Sequence, residues 1–416
     1  MSRTAEPLWM KSLRAEAQKR FAAMAWPTTS EEEWRRTDVS RLGLDSFAAV
    51  EPAKPACPRE GDPGTTAGFI RFDATRCTEA AIAPEWGAQG VRLVPMDLAL
   101  EEFETQLHEM FKNALDSADN RFLAWHYATW SHGALLWVPA GVEVREPFLI
   151  DMDEHGQGSM SAPHIAVILG QGAHASVVQR TTSSGDAAGD GLLSNAVVDL
   201  RLGDAAGLIY HEVQELGSRS LSFRHTRAEV GRDASLRHCA AEFGSRLVKT
   251  RTECNLVGPG AEAFLDGIYY CTKGQHMDLR TVQNHRSPKA TSRAYYKGAV
   301  AGGGRTVFQG LIEVAEGASG TDAYLTNRNL ILGEAARSDS IPTLRIGNND
   351  VKCSHGSTTG KLNAEELFYL ESRGYSAADA REMLVVGYFE DLLTTAPESY
   401  REDALTSIRD RLRGAA

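Results

Sequence analysis

"AEVGRDASLRHCAAEF", Ala228–Phe243, decides the fold: two strand-forming runs meet at a tight turn, Gly231-Arg232-Asp233-Ala234. The turn recurs as "GQGA" (Gly170–Ala173), "GDAA" (Gly203–Ala206), "GPGA" (Gly258–Ala261) and "AEGA" (Ala315–Ala318). A weaker copy is "SPKA" (Ser287–Ala290). The leading positions 170, 203, 231, 258, 287 and 315 are 33, 28, 27, 29 and 28 residues apart, and the alanine always falls three positions after the start. Periods of this size mark stacked supersecondary units. Helical repeats share the period, but the Val, Thr, Phe and Tyr content of these units around tight turns favours strands. Two strands joined by a Gly-to-Ala corner make one coil of a solenoid, with the alanine where the corner leaves no room for a longer side chain. A sandwich of evenly spaced hairpins is the competing architecture; a corner repeated at fixed register favours the solenoid.

The expected fold is therefore mainly β: a right-handed parallel β-helix over residues 133–360, between an N-terminal helical or mixed region (1–132) and a C-terminal helical domain (361–416). Leu13, Ala17 and Phe21 recur at helical spacing before Pro27 breaks the pattern, and Glu51–Gly68 is rich in Pro, Gly and Thr, as a linker would be. Asn363 with Glu366, and Ser376 with Asp379, are helix-start signals, and Gly374 is a stop between them. A third helix after Pro397 places Leu405, Ile408 and Leu412 on one face. This helical tail is expected to cap the last coil.

Composition excludes several function classes. A formal net charge of −11 argues against nucleic-acid binding, which calls for a basic face. No apolar run approaches the roughly 18 residues a membrane span requires. The start, "MSRTAEPLWMKSLRAEAQKRF", alternates both charges without an apolar signal core, so a cytoplasmic location is expected. Cysteines 57, 77, 239, 254, 271 and 353 form no C-x-x-C pair and read as free thiols of a reducing compartment.

Chemistry concentrates in "NNDVKCSHGSTTGKLN", Asn348–Asn363. On a strand, residues two apart share a face, so Cys353 and His355 point one way and Ser354 the other. Three readings stand side by side. The pair is a cysteine nucleophile activated by an imidazole, an incomplete metal site finished by ligands from elsewhere, or two packing residues. The first lacks an evident oxyanion hole and orienting acid. For the second, the unpaired edge of a final coil offers the place where another subunit could supply ligands.

Other signals are weaker. "AGGGRT" (Ala301–Thr306) is not followed by Gly-Lys-Ser/Thr, and in "GSTTGKL" Leu362 stands where a phosphate-binding loop needs a hydroxyl. His276, Asp278 and His285 have no diagnostic spacing and read as surface or turn residues. His126 and His132, among Trp125, Trp130 and Trp137, read as packing at the solenoid entrance, and Glu31-Glu32-Glu33 as a solvated face.

The quoted stretch resembles the "DVKCSHGAT" signature of the SufB/SufD family of iron–sulfur cluster assembly proteins. The resemblance continues through "TSRAYYKG" (Thr291–Gly298), "VFQGLIEV" (Val307–Val314), "TDAYLTNRNLIL" (Thr321–Leu332) and "LFYLESRG" (Leu367–Gly374). "EEWRRTD" (Glu32–Asp38) is similar to the SufD-type N-terminal element, and the length and absence of an early cysteine motif place the chain nearer SufD than its longer paralogue SufB. The resemblance implies a β-helix with helical ends, working as a non-catalytic scaffold. Its partners would be a SufB-like paralogue and a SufC-like ABC-type ATPase, the latter docked on the C-terminal helices, about Ala364–Leu412. It also implies a transient Fe–S cluster at the subunit interface, with His355 a contributor and Cys353 the adjacent signature cysteine. No cofactor held tightly by the isolated chain is expected, and a homodimer of that chain and participation of a flavin stay open. Ser357, Arg345 and Leu325 depart from the family's usual Ala, acidic residue and Gln. The rival reading is a stand-alone β-helix enzyme, a polysaccharide lyase or hydrolase. It would need carboxylates or basic residues along a groove, and usually a secretion signal; neither stands out.

Overall fold

Each Gly-to-Ala corner turns the chain from one parallel sheet into a second. The computed structural model describes residues 6–51, 59–112, 120–183, 191–394 and 396–414; Cys57 and the centre of the expected linker lie outside them. Strands His132–Val138, Pro163–Leu169, Leu193–Leu202, Leu221–Val230, Leu247–Leu256, His276–His285, Arg305–Val314 and Arg337–Ile346 lie in that order across the first sheet. Glu143–Asp153, His174–Thr182, Gly207–Glu215, Ser235–Glu242, Glu262–Cys271, Thr291–Val300, Thr321–Ile331 and Val351–Lys361 do the same in the second. Neighbours within both series pair in parallel. One strand from each sheet makes a coil, and eight coils make the β-solenoid the repeat predicted.

The corner composition follows from stacking. A Cβ on Gly258 would lie 2.0 Å from Arg232 N and 2.4 Å from Gly231 C, in the corner one coil earlier. A Cβ on Gly231 or Gly203 would lie 2.9 Å from the backbone of the preceding coil, so these leading positions too are bare, while Ser287 and Ala315 take the same place in two later corners. Ala173, Ala206, Ala234, Ala261, Ala290 and Ala318 are all buried. The amide of Ala173 donates to Gly170 O (3.1 Å), and that of Ala261 to Gly258 O (3.3 Å), closing the turn. The intervening third residue takes a left-handed conformation at Gly172, Ala205, Asp233, Gly260 and Lys289. Two corners escaped the pattern, one at each end. In the first coil Val142 donates to Pro139 O (3.3 Å), and in the last Asp350 replaces the alanine.

Alternation along the strands assigns three cores. Inward residues such as Phe148, Val177, Tyr210, Leu236, Leu265, Phe308 and Leu325 fill the solenoid. The first sheet's outer face is covered by the N-terminal helices Leu8–Ala23 and Arg121–Thr129, which bury Phe122, Trp125 and Trp130 with Val197, Phe223 and Leu247. The N-terminal region also supplies strands. Gly68–Asp73 extends the second sheet in parallel with Arg76–Ile82 antiparallel beside it, and Arg92–Pro95 adds an antiparallel edge to the first sheet. The sheets thus begin well before residue 133, and that end of the solenoid is closed.

The tail does not cap the last coil, as the sequence suggested. Ala377–Glu390 and Glu398–Gly414 turn back along the second sheet's outer face. Val385, Phe389, Leu393, Tyr400 and Ile408 pack there on Val178, Val213, Phe243, Ile268 and Tyr270. The reason is the run of apolar outward residues in coils two to six, which needs covering more than the polar last coil does. The local signals held. Asn363 caps Ala364–Ser372 through Glu365 N (2.9 Å), Gly374 follows its end at φ 97°, and Ser376 Oγ accepts from Asp379 N (3.1 Å).

Candidate functional site at the open end of the solenoid

With the tail displaced, Arg337–Ile346 and Val351–Lys361 form edges that no further strand pairs with among the described residues. Val351–Lys361 contains no buried residue. Cys353 pairs in register with Ala323, and His355 with Leu325. Ala323 and Leu325 belong to the solenoid core, so Cys353 and His355 continue two inward rows. Cys353 packs half-buried against the core's end, and His355 is exposed. The shared face predicted from the spacing is therefore the lumen face, at the one coil where the lumen opens.

Burial pushes the Cys353 thiol above its ordinary value; the Ala323 backbone hydrogen bond opposes this in part, and the nearby Asp322 carboxylate adds a smaller upward push. A raised thiol is a poor nucleophile at neutral pH, which counts against the nucleophile reading. Beside it lies an open concavity of ≈ 350 Å³ lined by Arg293, Asp322, Tyr324, Lys352, Cys353 and Ser354. Arg293 in its lining pairs with Asp322 Oδ1 (3.0 Å) and donates to Asp322 O (3.0 Å). Among the described residues no group of three or more His, Cys, Asp or Glu side chains is placed to hold a metal ion. Cys353 and His355 could act as ligands only in a set completed from outside the chain.

The other singled-out residues lie elsewhere. His276 and Asp278 come together, but on the first sheet's outer face and under the N-terminal region, not at a free surface. Thr37 Oγ1 donates to Asp278 Oδ2 (2.5 Å), so His276 Nε2 donates to Thr37 (2.9 Å). Asp278 is buried and also accepts from Lys249 (2.9 Å) and Gln309 (3.1 Å). Burial holds His276 down to about 4. His285 points inward instead, donating to Ser292 (2.8 Å), which donates to Gln283 (2.6 Å). His126 binds Asn195 O (2.8 Å) and meets His164 (3.0 Å), whose far nitrogen lies 3.2 Å from Asp199. His132 is buried in the first coil beside Phe72. Glu33 is not solvated: its carboxylate meets Arg251 (3.1 Å) and Arg280 (3.2 Å).

Cys239, Cys254 and Cys271 are buried free thiols, the latter two pushed up to about 12 by burial, which leaves them inert. Sequence reasoning missed the walls of the concavity. Arg293 and Tyr324 lie two coils and one coil from Cys353 on outward positions, and only register brings them beside it.

Residues 150–388 match the family profile described as SUF system FeS cluster assembly, SufBD core domain. An iron–sulfur cluster assembly SufBD family protein of Staphylococcus epidermidis is 26% identical over 433 aligned positions, covering 99% of this chain and 90% of that protein. A SufBD family protein of Mycobacterium tuberculosis is 30% identical over 304 positions, covering 71% of this chain and 73% of its own length. One of Staphylococcus aureus is 26% identical over 439 positions, covering 99% and 90%. With its core domain matched and its whole length shared with such relatives, the chain belongs to the SufBD family of iron–sulfur cluster assembly proteins.

Proposed function

We propose that this chain is a non-catalytic scaffold subunit of an iron–sulfur cluster assembly complex, most like SufD, acting in the cytoplasm. The observation that carries the reading is the solenoid's open end, where Cys353 and His355 lie on the lumen face of a coil with no buried residue. A SufB-like paralogue adds its own last coil there and supplies the missing ligands. The cluster is cargo: imidazole and thiolate suit iron and its sulfides, and an incomplete set lets the cluster leave. Cys353, with a raised thiol, is the weaker contributor and His355 the stronger.

A SufC-like ATPase docks on the C-terminal helices. Support comes from Phe368 (72% exposed) and Tyr369 (55% exposed) on the first of them, with Tyr375 and Met383 close in sequence, a set of large apolar side chains left uncovered. Among the described residues no helix is long and apolar enough to cross a membrane.

Co-expression of the tagged chain with a SufB-like paralogue and a SufC-like ATPase tests the reading. Recovery of all three in one complex that assembles a cluster under anaerobic iron and sulfide supports it. Recovery of the chain alone, or of a complex whose cluster yield does not depend on this subunit, overturns it.

A further inference from the structure

The N-terminal segment 31–38 crosses the outer face of the first sheet and touches four successive coils. Trp34 anchors it, stacked on Phe122 (centroids 5.4 Å apart, planes at 14°) with Lys249 Nζ 4.9 Å from its ring. The Glu33 carbonyl accepts from Lys249 on strand Leu247–Leu256 and from Gln309 on Arg305–Val314, both at 3.0 Å. Its carboxylate binds Arg251 of the former strand and Arg280 of His276–His285. Thr37, 2% exposed, bridges His276 and Asp278. Arg36 reaches Asp339 of the edge strand Arg337–Ile346 (3.9 Å), where Arg305 and Arg337 also converge (3.6 and 3.2 Å).

In a solenoid each coil is stabilised by its neighbours, so the last one frays unless it is capped. Here the C-terminal helices leave the last coil, and Arg337–Ile346 buries none of its residues fully. A cross-link running over strand boundaries alters that balance, because fraying the edge strand then also breaks contacts to the N-terminal region. Most of these contacts are part-buried, where charge-assisted hydrogen bonds are worth more than at a free surface.

We propose that residues 31–38 form a strap that takes the place of a cap: docked, it holds the edge strand Arg337–Ile346 in register, and undocked, it frees the last coil. The device requires no partner and stands apart from the proposed scaffold role.

Hydrogen–deuterium exchange on the full chain tests it. Glu33→Ala with Thr37→Val removes the carboxylate and the buried hydroxyl while leaving Trp34 in place. Exchange in 337–346 is expected to rise at least threefold, with 193–202, which the strap does not touch, unchanged. Acceleration confined to 31–38, or equal in 193–202 and 337–346, overturns the proposal. Should the double variant fail to fold, Arg36→Ala reads the edge contact alone. A rise confined to 337–346 supports the strap, and wild-type rates there overturn it.

Discussion

Leu325 and His355 are register partners across the last two strands of the second sheet, and only one of them is covered. Leu325 is 1% exposed, whereas His355, one coil further along the same inward row, faces solvent. Ala323 and Cys353 pair in the same way two residues earlier, in the neighbouring inward row, with Ala323 buried and Cys353 half-covered. A row that is core in every preceding coil becomes surface only because the stack stops. A strand added to this edge would cover both side chains, so the open end is a surface built to be completed.

The corners give the most direct test of the fold. Gly258→Ala drives a methyl into the backbone of Arg232 and Gly231, which cannot move without shifting the previous coil. It is expected to destabilise the protein by roughly 1–3 kcal/mol in denaturant unfolding. Gly317→Ala, in an equivalent corner but with nothing within 4 Å of the added Cβ, is expected to stay within about 0.5 kcal/mol of wild type. Equal effects at the two sites would remove the stacking explanation for the repeat.

The period was legible because corner stacking imposes an alanine at a fixed position of every interior coil and a glycine at the leading position of most. The end corners were not, because Pro139–Val142 and Gly347–Asp350 each lack a neighbouring coil on one side and need no matching alanine. The helices of the tail were legible through their caps, since Asn363, Gly374 and Ser376 act on adjacent backbone. Their docking place was not, because it depends on apolar outward residues as distant in sequence as Val178 and Ile268. Cys353 and His355 stood out through spacing and resemblance. The buried ties of Glu33 and Asp278 did not, because a charged residue in sequence carries no sign of the partner that will cover it.

Glu154 makes stability depend on pH in a predictable direction. It is buried, accepts from Ser194 (3.0 Å), and burial pushes its carboxyl up to about 7. The folded state keeps this proton over a range where the unfolded chain has lost it. The group's full stabilising contribution is therefore present below about pH 4.5 and is lost as pH rises toward about 7. Glu154→Gln keeps the shape and the hydrogen bond without the ionisation. Relative to wild type it is expected to gain on the order of 3 kcal/mol between pH 4.5 and pH 8. A difference between the two proteins that does not change with pH would show that Glu154 ionises freely in the fold.

The tail predicts two opposite outcomes. Deleting 364–416 uncovers Val178, Val213, Phe243, Ile268 and Tyr270 together, so the truncated solenoid is expected to aggregate. Phe368→Ala with Tyr369→Ala removes side chains that are already exposed, and should leave the thermal midpoint within about 1 °C. If the first tail helix docks the ATPase, the same pair should weaken that binding at least tenfold by calorimetry. Wild-type affinity would move the docking surface elsewhere on the chain.

The last coil carries the sharpest functional prediction. His355 is exposed and contributes no core packing, so His355→Ala should unfold at the wild-type temperature and still enter the complex. If the imidazole holds iron in the shared site, cluster absorbance after anaerobic reconstitution, normalised to intact complex, should fall at least fivefold. Cys353 differs in two respects: it packs against the end of the core, and its thiol is raised by burial. Cys353→Ala removes one sulfur atom from a half-buried position, an expected cost of about 1 kcal/mol, with a smaller loss of cluster. Iodoacetamide should accordingly label Cys353 more slowly than an unstructured cysteine at pH 7.5, with the gap closing as pH rises through the shifted value. Full cluster content in His355→Ala would return the strand to a structural role and leave the partner to supply every ligand. Full content in Cys353→Ala alone would leave His355 as this chain's contribution.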